Sequence, residues 1–408
     1  MTAEKEPKPE PEFNLNDPKW YLNRELTWLA FNQRVLNEAK DDRNPLLERV
    51  FFLAVVGSNL DEFFMKRIGG LKQQVGAGVK KRSVDGMLPQ EQIDACHQRY
   101  EVIVTEMRQI EEKLRMLLDE EGIRFSSYVD IDSQQKKEMD AYFKREVYPL
   151  MTPQGIDPAH PFPFISNLSL NLLVKTGEPR SNRWFLNRVK VPSGIGIPRF
   201  IQVGNQSLFI AFEDLVANNM DDLFPGLDIH SCEPFRVTRN AITERSEEQA
   251  NDLLVMIESA LRDRKFADIV RLQVDPQMIP LHRGMLSAEL GIDESRDLFE
   301  SNGFMAKRDL MEICKIDRID LHFPIHQPCD NPQLRLDDPN IFHVIRKQRA
   351  VLVQHPYESF DTSVAEFLKQ ASTDPKVLVI KMTLYRTGSQ SRIIQYLIDA
   401  AQNGKQVA

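Results

Sequence analysis

Arg386 is the residue whose type and setting point most directly to chemistry. Residues 377–384 read Val-Leu-Val-Ile-Lys-Met-Thr-Leu, a short apolar run rich in β-formers that follows Asp374-Pro375 and predicts a buried strand. Arg386-Thr-Gly-Ser then turns the chain. Ser389 or Ser391 stands where a helix cap belongs, and Ile393, Ile394, Leu397, Ile398 and Ala401 mark one face of the helix that Asn403-Gly404 stops. Gln406 and Val407 begin another strand, so the stretch reads as a βαβ unit. In open parallel sheets, ligands bind beyond the carboxyl ends of the strands, where the free N–H groups of the following helix favour an anion. A guanidinium at that place matches a phosphate with two parallel hydrogen bonds. The alternative is an arginine that pairs with a neighbouring carboxylate.

Other residues invite a similar question. Asn59, in Ser58-Asn-Leu-Asp-Glu62, has a glutamate three positions on, so it fits either a helix N-cap or a ligand contact. Lys66, Arg67, Lys72, Lys80, Lys81 and Arg82, interrupted by Gly69, Gly70, Gly76 and Gly78, suit either a solvated loop or a track for a polyanion. Those glycines do not follow a strand, so they make neither a P-loop nor a dinucleotide fingerprint. Between Met151 and Asn167 four prolines make a rigid segment, read as a wall around the core unless Asp157 and His160 touch a ligand. His322 and His326 are four apart, but Pro324 between them prevents a regular helix and no third ligand is near. There is no nucleophile elbow and no cysteine-nucleophile signature.

The elements that must position these groups follow from periodicity. Leu22, Leu26, Leu29 and Leu36, with Trp28 and Phe31, predict a first helix; an apolar second helix runs through Phe51, Phe52, Leu53 and Val56 and is expected to end near Gly57. From Pro89 to Glu121, Ile93, Tyr100, Met107 and Leu114 repeat every seven residues with Cys96, Ile103, Ile110 and Leu117 interleaved, the pattern of a long helix packed in a hairpin or on a partner. Gly122 is expected to end it. Strand-like runs at 123–129, 167–174, 185–191, 200–203, 207–212 and 269–274, with a helical stretch at 247–265, predict an α+β region with mostly antiparallel strands. An α/β pattern begins near 336: a strand at 350–354, an exit loop His355-Pro-Tyr-Glu-Ser-Phe360, a helix capped by Ser363 with Glu366, and then the strand at 377–384.

Composition bounds the rest. The 408 residues suggest two or three domains, and 42% hydrophobic with 27% charged residues is ordinary for a globular chain. A net charge of −8 argues against nucleic-acid binding driven by excess positive charge. Four widely spaced cysteines suit reduced thiols and a cytoplasmic location. The Pro- and charge-rich start lacks a signal-peptide core and predicts a disordered tail, and no stretch is apolar enough to span a bilayer, which leaves peripheral membrane association open.

Taken together, Tyr21-Leu-Asn-Arg-Glu-Leu-Thr-Trp-Leu-Ala-Phe-Asn-Gln-Arg-Val-Leu36, Ser58–Arg67, Leu150-Met-Thr-Pro-Gln-Gly155, His355–Phe360 and Lys381-Met-Thr-Leu-Tyr-Arg-Thr-Gly-Ser389 resemble the bacterial polyphosphate kinases. The resemblance runs over nearly the whole chain after the tail. It implies a multidomain α and α+β architecture: a disordered tail at 1–15, a helical N-terminal domain at 16–122, an α+β head domain at 123–335, and at 336–408 the start of a phospholipase D-like α/β domain. It implies ATP, ADP and inorganic polyphosphate as ligands, Mg²⁺ as cofactor, reversible transfer of the ATP γ-phosphate through a phosphohistidine, and a homo-oligomer. By the same resemblance Asn59 contacts the nucleotide and Arg386 belongs to the Mg²⁺–phosphate site. A guanidinium has no lone pair for a metal, so its part is to hold phosphate oxygens beside the ion. The family's nucleophilic histidine falls in sequence after Ala408, so residues 1–408 by themselves are expected to be inactive. Two alternatives remain at this stage: a non-catalytic polyphosphate- or nucleotide-binding protein, and another phospholipase D-type transferase.

Overall fold

The computed structural model describes residues 14–408 except 158, 182, 195, 205–206, 242–266, 335–339 and 385–390. They divide into two compact units, Met1–Phe323 and Pro324–Ala408.

The first unit opens with a helical hairpin, α1 (Arg24–Lys40) and α2 (Leu46–Phe63). Asn23 starts it: its Oδ1 accepts the backbone N–H groups of Glu25 and Leu26, both at 3.0 Å, satisfying donors that the first turn leaves free. The same side chain donates to Asp85 at 3.0 Å and to Gln92 at 3.1 Å, tying the cap to α4 (Pro89–Glu120). Between them, α2 passes through a π-helical turn at Phe64–Ile68 into α3 (Gly69–Gly76). Gly57 therefore does not stop a helix, contrary to the sequence expectation, and Gly69 lies within helix rather than in a loop. A Cβ on Gly57 would stand 3.0 Å from the backbone nitrogen of Arg308, and one on Gly69 would stand 2.3 Å from Asn240 Oδ1. These glycines permit close approach of neighbouring chain, a cause the local sequence does not announce.

The heptad helix is present, and Ile93, Cys96, Tyr100, Ile103, Met107, Ile110 and Leu114 are buried as the repeat requires. At its end Leu118 is buried where the repeat put Leu117. A straight helix drifts about 20° per heptad against a strict seven-residue repeat, so the seam passes to the next position over four turns of the pattern. Gly122 at φ +80° ends the helix, as expected.

Beyond it lie two sheets. In the smaller, β1 (Arg124–Ser126) pairs parallel to β6 (Leu208–Ala211), which pairs antiparallel to β5 (Phe200–Gln202). The larger has the order β2 (Gln154–Ile156), β4 (Trp184–Lys190), β3 (Leu170–Gly177), β7 (Asp228–Arg239), β8 (Ile269–Val274), β9 (Leu298–Glu300); only the β8–β9 pair is parallel. One face of this sheet buries Leu170, Leu172, Val174, Val189 and Val191 with Phe212 and Leu215; the other buries Leu173, Phe235, Leu272 and Val274 with Leu286. The proline-rich segment closes the second face through Ile165 and Phe162, while Asp157 and His160 stay exposed. Sequence reasoning missed the short edge strands β2 and β9 and, more consequentially, the long central strand β7. Its Asp-Ile-His-Ser-Cys-Glu-Pro-Phe-Arg-Val-Thr-Arg carries charges and a proline where a central strand should read apolar. The predicted helix at 247–265 lies outside the described residues.

The helices and the sheets share a core, since Phe200, Phe209, Val270, Phe299, Leu310 and Ile313 pack with the buried residues of α1, α2 and α4.

In the second unit, α5 is Ile341–Gln348, a π-helical turn at Asp361–Ala365 leads into α6 (Glu366–Thr373), and α7 is Arg392–Gln402. Strands β10 (Val379–Ile380) and β11 (Gln406–Val407) pair in parallel across α7, the βαβ unit expected from sequence, with Gly404 at φ +80° after the helix. Three local expectations change. The strand expected at 377–384 forms ladder only at Val379–Ile380, the length over which β11 partners it. Residues 351–354 form no strand; Asn331 Nδ2 binds the Leu352 carbonyl at 3.0 Å and a Glu358 carboxylate takes the Gln354 N–H at 2.7 Å. Ser363 is buried and donates to the Ser359 carbonyl at 2.5 Å, so it is not the cap. Ser359 Oγ instead accepts the Thr362 N–H at 3.2 Å, one turn earlier than the sequence suggests.

Candidate functional site

Asn59 is in the interior of α2, with four helical residues after it, so it caps nothing. Its Nδ2 donates to Asn32 Oδ1 on α1 at 2.9 Å. One turn along the hairpin, Trp28 stacks on Phe63 with centroids 4.9 Å apart and planes at 13°. The two pairs share one antiparallel register: stepping back four residues on α1 steps forward four on α2. Leu29 and Leu36 are buried beneath, which fixes the rotation of α1 and aims Asn32 at α2. Asn32 is fully buried, and its Nδ2 has no partner among the described residues. Asn59 is half-buried.

Two residues on and about 200° around the helix, Asp61 points the other way. It is 5% exposed and receives Arg236 Nη1 at 2.8 Å and Nη2 at 2.5 Å, a two-point grip, and Arg271 Nη2 at 2.5 Å. Burial alone pushes the Asp61 carboxyl up, but the two guanidinium groups outweigh it and hold the carboxyl down at about 2. Arg271 is stacked on Phe64 at 4.4 Å and bonded to Thr238 at 2.9 Å; Gln273 accepts from Arg236 at 2.8 Å. Asp61 and Arg271, with Tyr100, Gln273 and Phe299, line a cavity of about 450 Å³. Asn32, Arg236 and Arg271 are site residues that sequence reasoning missed. Asn32 sits inside a motif it quoted; the arginines carry no signal, because a buried arginine looks in sequence like an exposed one.

The basic segment is neither a loop nor a free polyanion track over most of its length. Residues 64–76 are helical, and Lys66, Arg67 and Lys72 pair with Glu62, Glu25 and Asp297, Arg67 at 2.9 Å. Lys80 and Lys81 are exposed, and Arg82 pairs with Glu91 at 3.1 Å. Several histidines are committed to structural partners: His282 to Glu233, His322 to Glu48 at 2.9 Å, His326 to the Pro356 carbonyl at 3.0 Å and His355 to the Glu358 carbonyl at 2.9 Å. The four cysteines are free thiols, and burial pushes Cys96, Cys232 and Cys314 up to about 12, too high to act as nucleophiles near neutral pH. Arg386 lies outside the described residues; β10 and α7, which flank it, are the strand and helix of the expected turn. Among the described residues no three His, Cys, Asp or Glu side chains gather where they would hold a metal ion, and none of their helices is long and apolar enough to cross a membrane.

A helical hairpin feeding an α+β sheet region, followed by a parallel βαβ unit, defines a multidomain α and α+β protein. Three consecutive families match the chain: the polyphosphate kinase N-terminal domain over residues 21–126, the middle domain over 134–313, and C-terminal domain 1 over 340–408. The chain belongs to the polyphosphate kinase family. It is 40% identical to the polyphosphate kinase of Thermosynechococcus vestitus, covering 100% of this chain and 60% of that protein. It is likewise 40% identical to the polyphosphate kinase of a Synechocystis species, covering 98% and 58%. The crystal structure of polyphosphate kinase from Porphyromonas gingivalis shares the fold, with a TM-score of 0.75 at 23% identity over 95% of this chain and 55% of that one. The chain thus spans about 60% of the length of the first of these relatives.

Proposed function

We propose that this chain provides nucleotide- and phosphate-binding parts of a cytoplasmic polyphosphate kinase, an ATP:polyphosphate phosphotransferase that works as a homo-oligomer with peripheral membrane association. The observation that carries the reading is the unbroken succession of three polyphosphate kinase domain families along the chain. In this reading residues 16–122 are the N-terminal domain, 123–335 the head and 336–408 the first part of the catalytic α/β region. Asn59, half-buried on the hairpin beside the Trp28–Phe63 stack, contacts the nucleotide. Arg386, between a strand and the helix after it, holds phosphate oxygens with its planar fork. Mg²⁺ would supply charge neutralisation on the transferring phosphates. The described residues do not build a carboxylate or imidazole site for it, and no step here passes through the ion.

The reaction moves the γ-phosphoryl group to a histidine and from there to a polyphosphate end, and none of the eight histidines of residues 1–408 is assigned that role. Incubating this polypeptide with γ-labelled ATP, Mg²⁺ and a polyphosphate primer is expected to leave no acid-labile label on the protein. Stoichiometric phosphohistidine would overturn the assignment. The nucleotide contact has its own test. Asn59→Leu removes the only described partner of Asn32 and is expected to weaken ATP binding about tenfold, the worth of one desolvated hydrogen bond. Unchanged affinity in a folded variant would remove Asn59 from the site.

A further inference from the structure

We infer that Asn32 is a positioning residue for the nucleotide contact: it holds the Asn59 amide nitrogen, so that Asn59 offers its carboxamide oxygen to a hydrogen-bond donor of the ligand. This rests on the nucleotide reading of Asn59 and narrows it to a donor at the base end of the nucleotide, the adenine amino group or the ribose 2′-hydroxyl. Phosphate oxygens only accept, so an outward carboxamide oxygen repels them.

The argument starts from a position where asparagine is a poor choice for packing. Asn32 is fully buried between α1 and α2, flanked one turn away by the aliphatic Leu29 and Leu36. A leucine would fill such a place without polar groups to satisfy. The asparagine instead leaves its own Nδ2 without a partner among the described residues, a burial that is unfavourable for an amide. Among the described residues its side chain makes one bond, Asn59 Nδ2 to Asn32 Oδ1 at 2.9 Å. That bond is what the buried amide achieves, and its effect falls on Asn59. A carboxamide is symmetrical in shape, so a half-exposed asparagine without such an anchor turns either end outward and reads donors and acceptors alike. With Nδ2 occupied, the orientation is set and Oδ1 is left. Sites that break a local packing rule without structural gain are where function is expected. The nearly parallel Trp28–Phe63 stack in the same register places an aromatic surface one turn from Asn59, suited to the base end of a nucleotide.

Trp28 also supplies the readout. With Trp20 and Trp184 changed to phenylalanine, its fluorescence is titrated with ATP, ITP and 2′-deoxy-ATP. The unmutated site is expected to favour ATP roughly tenfold over one analogue: over ITP, whose base carries a carbonyl in place of the amine, if the amino group is the donor, or over 2′-deoxy-ATP if the 2′-hydroxyl is. Asn32→Leu is expected to melt no lower than the parent and to reduce that preference to about twofold or less, because Asn59 then turns freely. Asn32→Asp, which restores an acceptor, recovers the preference. Should Asn32→Leu not melt cooperatively, Asn32→Ser, too short to reach Asn59, is read in the same way. Full preference retained in Asn32→Leu or Asn32→Ser overturns the positioning role. Equal affinity of the parent for all three nucleotides overturns the acceptor assignment. Failure of the nucleotide reading itself looks different: ATP then fails to change Trp28 fluorescence, or Asn59→Leu binds ATP as the parent does.

Discussion

Asp61→Asn is expected to destabilise the first unit by about 3–5 kcal/mol, the cost of removing one partner from a buried ion network. Arg236 and Arg271 are 1% and 2% exposed, and Asp61 is the carboxylate that both of them grip. The asparagine keeps the size and one acceptor oxygen but loses the charge, so two guanidinium groups are left facing each other in a poorly solvated place. Denaturant unfolding should show a lower midpoint at unchanged slope. The network also sets a pH dependence. The Asp61 carboxyl is held at about 2, below its ordinary value of 3.8, so its contribution is fully present above about 4 and is lost as pH falls from there towards 2. Over that window the parent should lose on the order of 2 kcal/mol that Asp61→Asn does not lose. A variant within about 1 kcal/mol of the parent, or one with the same acid dependence, would show that the arginines find their compensation elsewhere.

Arg386→Ala is expected to slow phosphotransfer by about 10²-fold or more in an active polypeptide that contains this chain, with kcat and kcat/KM falling together. That signature belongs to a group whose interaction strengthens as charge develops on the transferred phosphate. Arg386→Lys should recover only part of the loss, since an ammonium is a point charge without the planar two-point fork. The measurement is polyphosphate synthesis from ATP at saturating and limiting nucleotide. A rate within a few-fold of the parent, in a protein that folds normally, would return Arg386 to a structural ion pair. A loss confined to KM would make it a ground-state binder.

The sequence by itself determined what depends on short-range pattern. The heptad run from Ile93 to Leu114 gave the long helix because periodic burial needs only residues a turn or two apart. The apolar run near Val379, the turn and the Ile393 face were enough for the βαβ unit, since each element is specified within its own few residues. The motif around Asn59 located the candidate contact, and the motif around Arg386 located the candidate phosphate grip. What only the tertiary structure decided concerns groups whose partners are far away along the chain. Gly57 reads as a helix stop and Gly69 as part of a loop, but Arg308 and Asn240 lie against them, so they are close-packing positions inside helices. β7 reads as polar because Arg236 answers Asp61, 175 positions earlier in sequence. Asn59 reads as a cap because a cap is a local device, whereas its actual partner is Asn32, 27 residues back and brought opposite by the hairpin. Caps, heptads and turns are written in neighbouring residues. A buried charge or amide is tolerated only for the sake of its partner, and the partner is chosen by the fold.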